Sequence, residues 1–155
     1  KLTGKHPQEE GRLGGKTRAA IRVERSDTQR GRVPVISKRN YTLHVSDMLK
    51  AITDIEAFTA GIGFEDFLRD EKTKSAVVWK ITIIGEATKH VPRHVRQKYK
   101  KIPWTDMARM RDKVSHAYFG IRYEIVWNVI KERLPKIKPI LEAMLKDLQG
   151  ESLFQ

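Results

Sequence analysis

Cysteine is absent from the 155 residues, which excludes disulfides and thiolate metal ligands and fits a reducing compartment. Long apolar runs are missing too: none approaches the roughly 20 residues of a membrane-spanning helix, and no signal-type apolar segment opens the chain. These absences lead to the expectation of a cytoplasmic protein without a membrane partner. The first residue is Lys rather than Met, as expected of a fragment, a processed product or a sequence with an uncertain start. Sustained alternation of apolar and polar residues is also lacking, and no internal repeat is present, which argues against a sheet or a solenoid.

Acidic residues are in deficit. The 31 Lys and Arg outnumber 19 Asp and Glu, for a formal net charge of +12. The excess is uneven: residues 1–40 carry 11 basic and 4 acidic side chains, so more than half of the net charge sits in the first quarter of the chain. A basic balance favours polyanionic partners, RNA above all, without specifying one.

Residues 1–39 read as a basic, poorly structured arm. Gly4, Gly11, Gly14, Gly15 and Gly31 interrupt any helical pattern, and only 19–23 and 33–36 could pair as short strands or dock elsewhere. Composition alone favours a solvated extension over a nucleic-acid-binding arm. From Asn40 the character changes. Val45, Met48, Leu49, Ile52, Ile55 and Phe58 follow helical spacing up to a stop at Gly61-Ile62-Gly63. A short turn over 64–68 precedes a second long helix over about 71–90, which stops before Pro92. Beyond a basic connector (93–101), a third helix starts at Pro103 and runs to about Tyr118. A fourth spans about 123–133, with Ile125, Val126, Val129 and Ile130 as its buried face, and Pro135 interrupts it or starts the next element. Ile137, Ile140, Leu141, Met144, Leu145 and Leu148 form the last stripe. The expected fold class is therefore all-α, a four- to five-helix bundle over residues 40–150, with 151–155 as a tail.

The chemistry concentrates in Met110-Arg111-Asp112-Lys113-Val114-Ser115-His116-Ala117-Tyr118, closed by Phe119-Gly120. Arginine offers a fixed fork of donors suited to a phosphate, and histidine moves protons near neutral pH. Asp112 and His116 are four apart, as are Arg111 and Ser115, so each pair shares a helix face. Asp112 is placed to accept the imidazole N–H of His116 and fix its tautomer. Arg111 and His116, five apart, differ by about 140° around the axis and would converge on a groove beside the helix. By spacing alone, a solvated charged face is the simpler reading.

The sequence around these residues resembles the HepT-like toxins of the HEPN superfamily of small helical domains. Arg111-x4-His116-x-Tyr118 matches their R-x4-H-x-Y motif. Similarity extends to Ile83-Ile84-Gly85-Glu86-Ala87, Ile102-Pro103-Trp104, Tyr118-Phe119-Gly120-Ile121 and Ile125-Val126-Trp127, and covers roughly residues 40–148. The resemblance implies a HEPN-type bundle that acts as a metal-independent ribonuclease and forms a homodimer, with Arg and His of both subunits lining a shared cleft. It implies that Arg111 holds the scissile phosphate and His116 serves as general base or acid. Asp112 and Ser115 would be supporting residues. The implied partner is a minimal nucleotidyltransferase antitoxin (MntA-like), which in some pairs adds AMP to the motif tyrosine, here Tyr118. No cofactor and no metal are implied. The chain departs from the family pattern at Trp79, Lys80, Thr82 and Arg122, and the arm over 1–39 has no counterpart there.

Two other functional classes remain open: a catalytically silent HEPN module binding RNA or a nucleotidyltransferase partner, and an RNA-binding protein whose arm does the binding. His90 and His94 are four apart but separated by Pro92 and have no evident third ligand, so a zinc site is disfavoured. Gly61-x-Gly63 reads as a helix-ending turn rather than a phosphate loop. Trp104 and Trp127 read as core or interface aromatics, and Trp79 as a mark of a dimer surface.

Overall fold

The computed structural model describes residues 38–116 and 120–150, with no account of the side chains of 38–40 and 115. Among the described residues seven α-helices follow one another: α1 (Lys38–Phe58), α2 (Phe64–Arg69), α3 (Glu71–Lys89), α4 (Arg93–Lys98), α5 (Trp104–His116), α6 (Tyr123–Asn128) and α7 (Leu134–Gly150). Four are long, and these make the bundle; the short α2, α4 and α6 link them. No strand occurs among the described residues. No described helix is long and apolar enough to cross a membrane.

The apolar stripe of α1 is the spine of the core. Val45, Met48, Ile52 and Ile55 are completely buried, one or two turns apart. They meet Val77, Ile81 and Ile84 of α3 and Leu141 and Met144 of α7 in one hydrophobic cluster. Helix α3 packs against α1 on one side and α5 on the other. Ion pairs tie the layers at their edges: Lys80 Nζ of α3 lies 2.6 Å from Asp54 of α1, and Lys138 of α7 lies 2.6 Å from Glu56.

Local signals explain most boundaries. The turn after α1 passes through Gly61 at φ 71°, a left-handed conformation that favours glycine. Asp70 caps α3: its Oδ1 accepts from the Thr73 backbone N–H at 3.0 Å, and its Oδ2 from the Thr73 hydroxyl at 2.6 Å. The Trp104 indole N–H donates to the Tyr99 carbonyl at 3.0 Å, which fixes the entry into α5 beside its own ring. Phe67 of α2 packs with Trp127 and Tyr123, ring centroids 5.1 and 6.0 Å away, so α2 is held down on α6.

The described part of α1 runs from Lys38, and residues 1–37, nearly all of the expected arm, lie outside the described residues. Pro135, expected to interrupt the fourth helix or to start the next element, stands in the first turn of α7. The backbone stays helical from α6 into α7 through a π turn over Val129–Arg133, in which the Leu134 N–H donates to the Val129 carbonyl. Ile125, expected on the buried face, is not buried: it is 41% exposed, while Val126 and Ile130 carry the inner face.

Candidate active site

The site is built where α5 crosses α3, and the crossing is set by Gly85. A Cβ on residue 85 would lie 2.1 Å from the Cβ of Arg111, 2.9 Å from its Cγ and 3.1 Å from the Met107 carbonyl oxygen. Only a glycine lets the two backbones come this close. The stem of Arg111 is therefore pressed onto the α3 backbone, and its guanidinium emerges beside the next residue, Glu86.

Four charged side chains interlock there. Arg111 Nε is buried against Glu86 Oε1 in an ion pair. Arg111 Nη1 donates to Asp112 Oδ1 at 3.2 Å, and Lys89 Nζ donates to the same oxygen at 2.9 Å. Lys89 also stands 3.7 Å from Glu86. Two cations and two anions thus form a closed, charge-balanced ring. The hydrogen bonds from Lys89, then from Arg111, hold the Asp112 carboxyl below its ordinary pKa, so it is ionised at neutral pH. The Arg111 side chain remains 28% exposed, which leaves part of its donor fork facing outward.

His116 ends α5 as described, with its side chain exposed. It is five residues, about 7.5 Å along the axis, beyond Arg111. The expected bond from His116 to Asp112 is not formed. Asp112 Oδ1 instead accepts charge-assisted hydrogen bonds from Lys89 and Arg111. The structure thus brings Arg111 and Asp112 together and leaves His116 unrestrained by either. The Ser115 side chain and residues 117–119, Tyr118 among them, lie outside the described residues. Sequence reading missed Glu86 and Lys89 as members of the site, although the Gly85-Glu86 pair was a signal of close helix contact.

The departures from the family pattern fall elsewhere. Lys80 is turned to Asp54 of α1, and the Thr82 hydroxyl donates to the Val78 carbonyl of its own helix at 3.0 Å. Trp79 is 63% exposed. Arg122 precedes α6, and Trp104 is buried as expected of a core aromatic. His90 stacks on His44, ring centroids 4.6 Å apart. No group of three or more potential metal ligands occurs among the described residues.

An arginine anchored on a glycine-mediated helix crossing is thus followed, one and a half turns later, by an open histidine. Comparison with known proteins gives the family. The family described as "Ribonuclease HepT-like" matches residues 48–144. A "Probable ribonuclease HepT" of Thermococcus cleftensis is 45% identical over 109 residues, 70% of this chain and 99% of its own length. A "Putative RNase" of Methanocaldococcus jannaschii is 40% identical over 114 residues, covering 74% of this chain and 94% of the relative. No solved structure matches. The chain belongs to the HepT-like ribonuclease family.

Proposed function

We propose that the protein is a ribonuclease that cleaves RNA phosphodiesters with Arg111 and His116 and needs no metal for the step. The observation that carries this reading is the fixed Arg111 guanidinium, held by Glu86 and Asp112 beside an open histidine. Its outward donors bind the scissile phosphate and stabilise the charge that builds on the phosphoryl oxygens. His116 takes the proton of the ribose 2′-hydroxyl, the 2′-oxygen bonds to phosphorus, and the bond to the 5′-oxygen breaks. The products are a 2′,3′-cyclic phosphate and a 5′-hydroxyl, the latter protonated by a second imidazolium. That second histidine comes from the other subunit of a homodimer. Exposed Trp79 supports the dimer: it precedes Glu86 by seven residues, two turns of α3, and so shares its face.

The wider reading takes up what the resemblance to HepT-like toxins implies. The protein acts in the cytoplasm as the toxin of a toxin–antitoxin pair, and a nucleotidyltransferase antitoxin silences it by adding AMP to Tyr118. The added bulk and negative phosphate stand two residues past His116, where they repel RNA. Ser115 makes at most a secondary contact.

The test is cleavage of total RNA by purified protein in EDTA, with Arg111→Ala and His116→Ala beside it. Cleavage that both substitutions abolish, with the dimer intact, supports the assignment. An unmodified, folded dimer that cuts nothing refutes it and leaves a silent partner-binding module.

A further inference from the structure

Three grooves run end to end along α5. The first, about 480 Å³, lies at the start of the helix and is lined by Arg93, Arg96 and Lys100. It shares Pro103 and Asp106 with the second, about 270 Å³, whose rim carries Arg109, Lys113 and Arg133. The second shares Met110, Lys113 and Ile125 with the third, about 330 Å³, where Arg122 adds another cation. Thirteen helical residues make this track about 20 Å long.

Its charge is one-sided. Three cations line the first groove, three the second and one more the third, against a single carboxylate, Asp106. Even that carboxylate has a cation 3.9 Å away, in Arg133. At the first groove, Arg96 Nε is buried without a hydrogen-bond partner among the described residues. The floor, by contrast, is apolar: Met110, Val129 and the exposed Ile125 cover the buried Ile84 and Leu134. Cations on the rim with an apolar floor between them suit a chain of alternating phosphates and flat, weakly hydrated bases. A duplex hides its base faces and gains nothing from such a floor. The third groove carries the track past Lys113 to Gly120 and Arg122, so that its residues flank His116 in the sequence.

We propose that this track holds single-stranded RNA on its way to the scissile position, with unpaired bases on the Met110–Ile125 floor and phosphates on the Arg109, Lys113 and Arg133 rim. The proposal rests on the ribonuclease reading and names its substrate class: unpaired RNA, selected by access to base faces rather than by base edges. Ile125, misjudged as a core residue from its spacing, is part of that floor, which gives its exposure a role.

The test uses the full chain and a fluorescent 2′-O-methyl oligonucleotide, which cannot be cleaved because its 2′-oxygen carries no proton. The single strand binds several-fold tighter than the same sequence in a duplex. Lys113→Gln lowers the slope of log affinity against log salt by about 0.7, the loss of one phosphate contact on a single strand. Ile125→Ser weakens binding several-fold and leaves the slope unchanged, since no phosphate contact is removed. Both side chains are exposed, so the fold tolerates the changes; Arg109→Gln repeats the salt measurement if Ile125→Ser unfolds. Unchanged affinity and slope in these variants, or equal binding of the duplex, overturns the track. Cleavage assays keep the two readings apart. Protein that cuts RNA while Lys113→Gln and Ile125→Ser bind as the parent does refutes the track alone. Protein that binds the oligonucleotide through the track but cuts no RNA refutes the ribonuclease reading alone.

Discussion

Gly85 and Arg111 share one point of the α3–α5 crossing, where a Cβ on the first would stand 2.1 Å from the Cβ of the second. The position of the candidate phosphate-binding guanidinium is thus decided by a missing methyl group on another helix. Gly85→Ala gains about 1 kcal/mol of helix propensity, but α5 has to move outward to admit the new Cβ. Overpacking of this kind costs about 1–3 kcal/mol, and the Met107 carbonyl on the same side leaves little room to relax. The expected outcome is a lower urea midpoint together with a loss of RNA cleavage. A variant as stable as the parent, with full cleavage, would show that the crossing does not set the position of Arg111.

The stacked pair His44 and His90 makes stability depend on pH near neutrality. Partial burial first, then the charge that His90 would carry, hold the His44 imidazole below its ordinary pKa, with Asp47 opposing. The unfolded chain therefore binds a proton here more readily than the folded one. Stability from this source is complete above the unfolded value, about 6.5, and is lost as pH falls below it. Thermal unfolding between pH 7.5 and 5 reads it. His44→Asn flattens the decline; an identical decline in the variant would assign it to other groups.

The cap of α3 responds at the opposite end of the scale. Hydrogen bonds from the Thr73 hydroxyl and then its backbone N–H hold the Asp70 carboxyl below its ordinary value. Its contribution is present above the unfolded value, about 3.9, and is lost as pH falls through the lower folded one. Asp70→Ala is expected to melt below the parent at pH 7 and to converge with it toward pH 2. A gap of constant size would mean that the cap acts through shape rather than charge.

How far the sequence discloses this molecule depends on the range over which each feature is determined. The α1 stripe of Val45, Met48, Ile52 and Ile55 is legible because helical periodicity and burial coincide within eleven residues. The π turn between α6 and α7 is not, because it is a property of the packed bundle and no local signal marks it, whereas Pro135 marks only the start of α7. Arg111 stands out by chemistry and by family resemblance. Its partners Glu86 and Lys89 do not, since a contact across more than twenty residues depends on how α3 and α5 cross. The Asp112–His116 pair was a sound inference from i, i+4 spacing, but spacing carries no information about a lysine arriving from another helix.

That lysine and Glu86 lead to the sharpest prediction. Arg111 uses Nε toward Glu86 and Nη1 toward Asp112 while keeping part of its fork outward. Lysine, with one terminal ammonium, cannot hold two carboxylates and a phosphate in fixed directions at once. Arg111→Lys keeps the charge and fills the same space over Gly85, so folding is expected to be preserved. The donors that meet developing charge on the phosphoryl group are lost, and removal of one such donor lowers kcat by about 10²–10³. KM is expected to change little, because Arg109, Lys113 and Arg133 still hold the RNA along the track. Steady-state cleavage of a single-stranded substrate separates the two constants. A rise in KM with kcat preserved would place Arg111 among the residues that merely bind RNA and would move the electrostatic work of the step to another group.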